Sequence, residues 1–349
     1  MQKPVRSFST LMFAAVILLC LAVRVAPAAA NPAGSVPPGV TPAPDPALNP
    51  TALLQVGGDY SYVAAGTALR DTGSGVITVS YTGSVVAAYL IWGIINPTSG
   101  GLNVANINGQ AITGTLQSSD VSPCWGNGYM WVFAADVTSY VTSGANTVSG
   151  FASGYTNGGD PWSESLAPLA DGASLVVLTT GATSNNIYLY TGTYTEITGG
   201  SLTSVFNHGA ADATTASITF IVLDGQLPGN TASYNGGLID SNAFPGSDPK
   251  TSTTPWSFGT LSDTKTYSVT EALGATTDSA SIAGSGGDCL TWAAQVISIP
   301  STAPVVPILP TPVTGVPQFS ASPVMVAAVG AVLLALLLRT KQSLKVRTV

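Results

Sequence analysis

Short apolar or alternating runs recur through the middle of the chain, with Gly, Asn, Ser and Asp between them. They include Val76–Tyr81, Val85–Trp92, Tyr129–Phe133, Ser174–Thr179, Ser217–Leu223 and Trp292–Ile299. No long 3.6-residue periodicity interrupts them, so the pattern predicts strands throughout. VVAAYLIW (85–92) and SITFIVL (217–223) are too continuous for strands with one wet face and are expected to be covered on both sides. The fold class that follows is all-β, an antiparallel β-sandwich of jelly-roll-like type.

The runs also repeat in order. VVAAYLIW is followed by INGQAI (107–112), WVFAADVTSYVTSGANTVSG (131–150) and DGASLVVLTT (171–180). SITFIVL is followed by YNGGLI (234–239), KTYSVTEALGATTDSASIAG (265–284) and DCLTWAAQVIS (288–298). Each series reads apolar strand, Asn-Gly hairpin, aromatic strand, V-T-type turn, polar-edged strand, apolar strand. Asn and Gly both accept positive φ, which is why the pair marks a tight hairpin. An internal duplication is expected, with one β-sandwich repeat over 51–195 and a second over 196–300.

The two ends predict export and anchoring. Lys3 and Arg6, the apolar Leu11–Val23 and the small Ala28–Ala29–Ala30 form a secretory signal peptide over 1–30. Pro-rich segments follow at 31–50 and again at 301–321, the first a linker and the second a semi-rigid stalk. Residues 322–338 (SPVMVAAVGAVLLALLL) are charge-free and apolar, about the shortest length that spans a bilayer as a helix. The basic tail at 339–349 then favours a cytoplasmic C-terminus.

Charge changes the picture in one respect. Seven of the ten Lys and Arg lie in the terminal segments, leaving Arg70, Lys250 and Lys265 for the body. The exported part is therefore acidic, which argues against nucleic acid as a partner. Only 8% of the chain is charged, so Ser, Thr, Asn and Gly must supply its solubility.

The string GGDYSYVAAGTALRDTGSGVITV (57–79), with VVAAYLIWG, ADVTSYV, DGASLVVL and GDCLTWAAQVISI, resembles a group of poorly characterised exported domains of archaeal and bacterial surface proteins. The resemblance implies a β-rich cell-surface module and no reaction. VPQF (316–319), the apolar run and the basic end are similar to C-terminal sorting signals with a PEF-like motif, with Gln318 where Glu is expected. Removal by a sorting enzyme and plain retention as an anchor both remain open.

Catalytic candidates are few. His208 is the one histidine; no G-x-S-x-G elbow presents a serine, and no clustered Cys/His spacing predicts zinc. His208 reads as a loop residue, no paired carboxylates stand out for glycoside hydrolysis, and no enzyme activity is expected. No cofactor is expected either, calcium being the one ion considered. The polar loop carrying Asp160, Trp162 and Glu164 has the oxygen donors and aromatic ring for calcium or a sugar, against the plainer reading of a solvated connection. Cys124 and Cys289 each lie beside a tryptophan and are expected to pair as a disulfide once exported, two buried thiols being the alternative.

The sequence thus points to a surface-anchored structural or adhesive protein, its partners being envelope components or further copies of itself. A carbohydrate-binding module would instead offer Trp125, Tyr129, Tyr155 and Trp162 as platforms for polysaccharide. A secreted hydrolase is the third class.

Overall fold

The computed structural model describes residues 47–48, 51–122, 128–159, 167–192, 195–197, 200–285 and 288–309. The expected signal peptide, nearly all of the first linker, the apolar 322–338 run and the basic tail lie outside them. Among the described residues there is no helix long and apolar enough to cross a membrane.

Every regular element described is a strand. β1 (Ala47–Leu48) precedes β2 (Thr51–Ala68), β3 (Gly75–Val79), β4 (Val85–Asn96), β5 (Val104–Ile107) and β6 (Gln110–Thr113). β7 (Thr115–Ser122), β8 (Gly128–Asp136), β9 (Gly144–Ser149) and the long β10 (Leu169–Thr191) follow. Then come β11 (Thr195–Ile197), β12 (Ser201–Asn207), β13 (Thr215–Leu223), β14 (Thr231–Tyr234) and β15 (Gly237–Asp240). β16 (Ser262–Thr270), β17 (Thr277–Ala283) and β18 (Cys289–Pro300) complete the body. Except for β1 on β12, all pairings are antiparallel.

Two smaller sheets flank one large sheet. The large sheet runs β16-β13-β18-β10-β4-β8-β7, with β2 along β10 and β11 on β18. The smaller sheets run β3-β9-β5-β6 and β1-β12-β17-β14-β15. Strand order is the same in the two halves: β3-β9-β5-β6 matches β12-β17-β14-β15, and β10-β4-β8 matches β18-β13-β16. β10 belongs to both halves, because Leu169–Thr179 pairs with β4 while Asn185–Thr191 pairs with β18.

Burial follows from this layering. In β4, Leu90, Trp92 and Ile94 face the core of the first half, while Tyr89, Ile91 and Ile95 face a central core shared with the second. In β13, Ile218, Phe220 and Val222 enter the second half's own core, and Ile221 and Leu223 the shared one. The continuous apolar runs are continuous because both faces are dry.

The two Asn-Gly turns fold alike. Asn108 and Gly109 sit at φ 50° and 78°, Asn235 and Gly236 at 48° and 75°. Each Asn donates its backbone N–H to the strand beside it, to Thr147 O and Ser279 O respectively, both at 2.8 Å. Each side-chain Oδ1 accepts from the same neighbour, Thr147 N at 2.9 Å and Ser279 N at 2.8 Å.

The segment after β18 is held against the body. Ser301 Oγ donates to Ala210 O, Thr302 bonds Asp212, and Ile308 exchanges backbone hydrogen bonds with Gln55 at 2.7 and 2.8 Å. The first residues of the Pro-rich stretch therefore cover the edge of β2.

Candidate functional site

The sequence-predicted site residues are only partly within view. Cys124, Trp125, Asp160, Trp162 and Glu164 lie outside the described residues. Tyr129 is half-buried on β8, its ring 5.7 Å from that of Trp131. Cys289 opens β18 and is fully buried. Ile197 of β11 lies opposite it, and Thr191 Oγ1 meets Gln117 Oε1 of β7 at 3.1 Å, so β7 and the start of β18 approach one another.

A different set of residues forms the most concentrated chemistry of the body. His208 at the end of β12, Glu271 just after β16 and Asp278 in β17 converge at one end of the second sandwich. All are buried, and one ligand atom from each lies within 4.8 Å of the others. His208 Nε2 is 2.7 Å from Asp278 Oδ2. Tyr234 Oη is 2.7 Å from that same oxygen and 2.7 Å from Glu271 Oε2.

The outer atoms of the group are tied down. His208 Nδ1 faces Gly209 O at 2.8 Å, Asn235 Nδ2 donates to Asp278 Oδ1 at 2.7 Å, and the Ala272 N–H donates to Glu271 Oε1 at 2.8 Å. One nitrogen and one oxygen of each carboxylate are thus left facing inward. The carbonyl beside Nδ1 places a proton there and turns Nε2 towards the acids.

Electrostatics differ sharply among the members. Burial alone would lower the His208 pKa, but Asp278 and the Gly209 carbonyl outweigh it and raise it. Burial raises Glu271, and neighbouring Asp278 adds to that. Asp278 is pushed up by burial yet held well below the carboxylate range by hydrogen bonds from His208, Glu271, Tyr234 and Asn235. Tyr234 is raised by burial and by both acids.

Sequence reading placed His208 in an ordinary loop because its partners are 63 and 70 positions away (271 − 208 and 278 − 208). The nearest signal was in the repeat itself. Where the second series has Tyr234, Glu271 and Asp278, the first has Ile107, Val137 and Asn146 in equivalent places around its own Asn-Gly turn.

A second polar concentration joins the two halves. Arg70, fully buried, donates to Ser257 O and Gly259 O at 3.2 Å, to Thr156 Oγ1, and to Gly159 O. Its guanidinium lies 5.2 Å from the Trp256 ring, and Lys250 Nζ lies 4.0 Å from it. Asp71 anchors the same loop, accepting from Thr156 and Gly158. Asp171 is fully buried nearby, and burial, helped by Asp224 and opposed by Arg70, raises its pKa well above the usual range.

A shallow groove of about 420 Å³ lies elsewhere, lined by Ser61, Ser80, Tyr81, Thr82, Thr179 and Thr180 among others. It is rich in hydroxyls, with one aromatic ring.

Comparison with known proteins adds little. No protein-family model matches the chain, and no curated protein matches it. Among solved structures, the major capsid protein P2 of bacteriophage PM2 aligns over 70% of this chain and all of its own, at 7% identity. The TM-score is 0.21, too low to bear on function.

Proposed function

We propose that the protein is a structural or adhesive component of a cell envelope, displayed outward as two jelly-roll lobes and held by the apolar segment 322–338. The observation that carries this reading is the repeated strand order, with both sandwiches fused through β10 into one body. A jelly roll has eight strands in two four-stranded sheets. In the first lobe these are β2-β10-β4-β8 and β3-β9-β5-β6; in the second, β10-β18-β13-β16 and β12-β17-β14-β15. Duplication of one ancestral lobe accounts for the shared order and for the matching Asn-Gly turns.

On this reading, 1–30 is removed on export, and Cys124 is the partner of Cys289. Cys124 lies two residues beyond the end of β7, the strand that approaches the start of β18. The bridge closes a loop of over 160 residues and would stabilise by roughly 4–5 kcal/mol in the chain-entropy model. The hydroxyl-lined groove supports polysaccharide as a further partner, since its lining offers donors and one aromatic face but no carboxylate pair to cleave a glycoside.

The test is cellular. Protease added to intact cells should clip the body, and truncation after Gly315 should release it to the medium. Non-reducing peptide mapping should recover the Cys124–Cys289 pair. A protein that stays protected inside the cell, or that remains membrane-bound after truncation, contradicts the reading.

A further inference from the structure

We propose that the second lobe contains a divalent-metal site built by His208, Glu271 and Asp278, and that zinc is the ion its donor set fits. Three features of the cluster carry this, all of them geometric.

The first is the comparison between lobes. In the first lobe the residue before the Asn-Gly turn is Ile107, the residue after the aromatic strand is Val137, and both are fully buried among aliphatic neighbours. The amide of Asn146, two residues before the strand partner of Ile107, completes that corner by bonding Asn108 and the backbone of Thr142 and Gly144. At the same positions the second lobe has Tyr234, Glu271 and Asp278, and it adds His208, the residue just after β12. The fold closes this corner with aliphatic groups and a neutral amide when it can. Replacing those with ionisable groups carries a desolvation cost that packing does not repay.

The second feature is the convergence of polar atoms. Tyr234 has one hydroxyl hydrogen, yet its oxygen is 2.7 Å from both Glu271 Oε2 and Asp278 Oδ2. His208 Nε2 is 2.7 Å from that Oδ2 as well. One imidazole nitrogen, two carboxylate oxygens and a hydroxyl thus converge on one point, an arrangement that suits a cation.

The third is the outer ring of contacts. Metal-bound imidazoles characteristically donate their second nitrogen to a carbonyl, and bound carboxylates are held by hydrogen bonds to the oxygen that faces away. Gly209 O, Asn235 Nδ2 and the Ala272 N–H fill those three places here. One imidazole nitrogen and two carboxylate oxygens suit zinc, and Tyr234 Oη is placed to be its fourth neighbour. Calcium prefers an all-oxygen shell of six to eight ligands, which this corner does not offer. The two carboxylates neutralise a dication. Zinc ligand distances of about 2.0–2.2 Å require the donors to part by less than about 1 Å, within the reach of side-chain rotation.

The full chain, purified and stripped with a chelator, should take up one zinc ion in native mass spectrometry and unfold at a temperature higher by several degrees. His208→Ala and Asp278→Asn should each lose both effects, whereas Tyr234→Phe should still bind zinc. Cobalt added to the unsubstituted chain should give the visible absorption of a tetrahedral nitrogen–oxygen site, a reading that does not depend on any variant folding. Failure of the unsubstituted chain to take up zinc, uptake undiminished in His208→Ala, or equal uptake of calcium would overturn the proposal.

Discussion

At Asp263 two backbone N–H groups and a hydroxyl, from Gly246 and Ser247, donate to a carboxylate with no exposed surface. Burial outweighs those bonds, with Asp248 adding to it, and the pKa is pushed up to about 7. An unfolded Asp titrates near 3.9. Between those values the folded chain holds a proton that the unfolded chain has released, so stability falls as pH rises from about 4 to about 7 and then levels. We expect Asp263→Asn to flatten that fall in urea titrations across this range; an unchanged slope would contradict the assignment. Arg70 acts in the opposite sense, as a buried cation satisfied by carbonyls from both lobes. Arg70→Ala should cost about 3–5 kcal/mol of unfolding free energy, because it strands those carbonyls and leaves Asp171 without its nearby positive charge.

Among the elements, β4 shows most directly how the lobes are joined. Its side chains alternate between the first core and the shared one, and Gly93 stands against Leu223 of the second lobe. A Cβ at that position would lie 2.2 Å from Leu223 Cδ1 and 2.9 Å from Met130 Sδ. Gly93→Val should therefore destabilise by about 1–3 kcal/mol through overpacking, read from the denaturant midpoint. The same substitution at Gly101, whose Cβ would meet nothing, should destabilise through its positive φ of 76° alone and without overpacking. The Asn-Gly hairpins make a second element-level point: the same turn, with the same two bonds to its neighbour, supports an aliphatic corner in one lobe and an ionisable one in the other.

For the whole molecule, the shared β10 and the central core make independent unfolding of the lobes costly, since either would expose the other's face. A single calorimetric transition is expected for the body, and two well-separated ones would show that the lobes are thermodynamically distinct. Asp171, Asp248, Asp263 and Asp288 are all raised by burial. Together they oppose Asp278 and Asp212, which are lowered, so the body should be more stable at mildly acidic than at neutral pH. The few basic residues of the body meet this acidity where the lobes join: Arg70 and Lys250 at Trp256, and Lys265 within 3.8 Å of Asp263.

The apolar runs, their period and the Asn-Gly pairs determined by themselves that the chain is all-β with dry central strands, and their repetition runs parallel to the matching strand order of the two halves. These are local properties: strand, turn and burial on both faces leave their mark within ten or so residues. Only the tertiary structure decided that β10 serves both sandwiches and that Arg70 clamps loops from each lobe. It alone brought His208 to Glu271 and Asp278. Those contacts join positions far apart in the chain, set by how strands are ordered in a sheet and not by any spacing along it. A lone histidine in VFNHGAAD carries no sign of two carboxylates that arrive from strands folded later in the sequence.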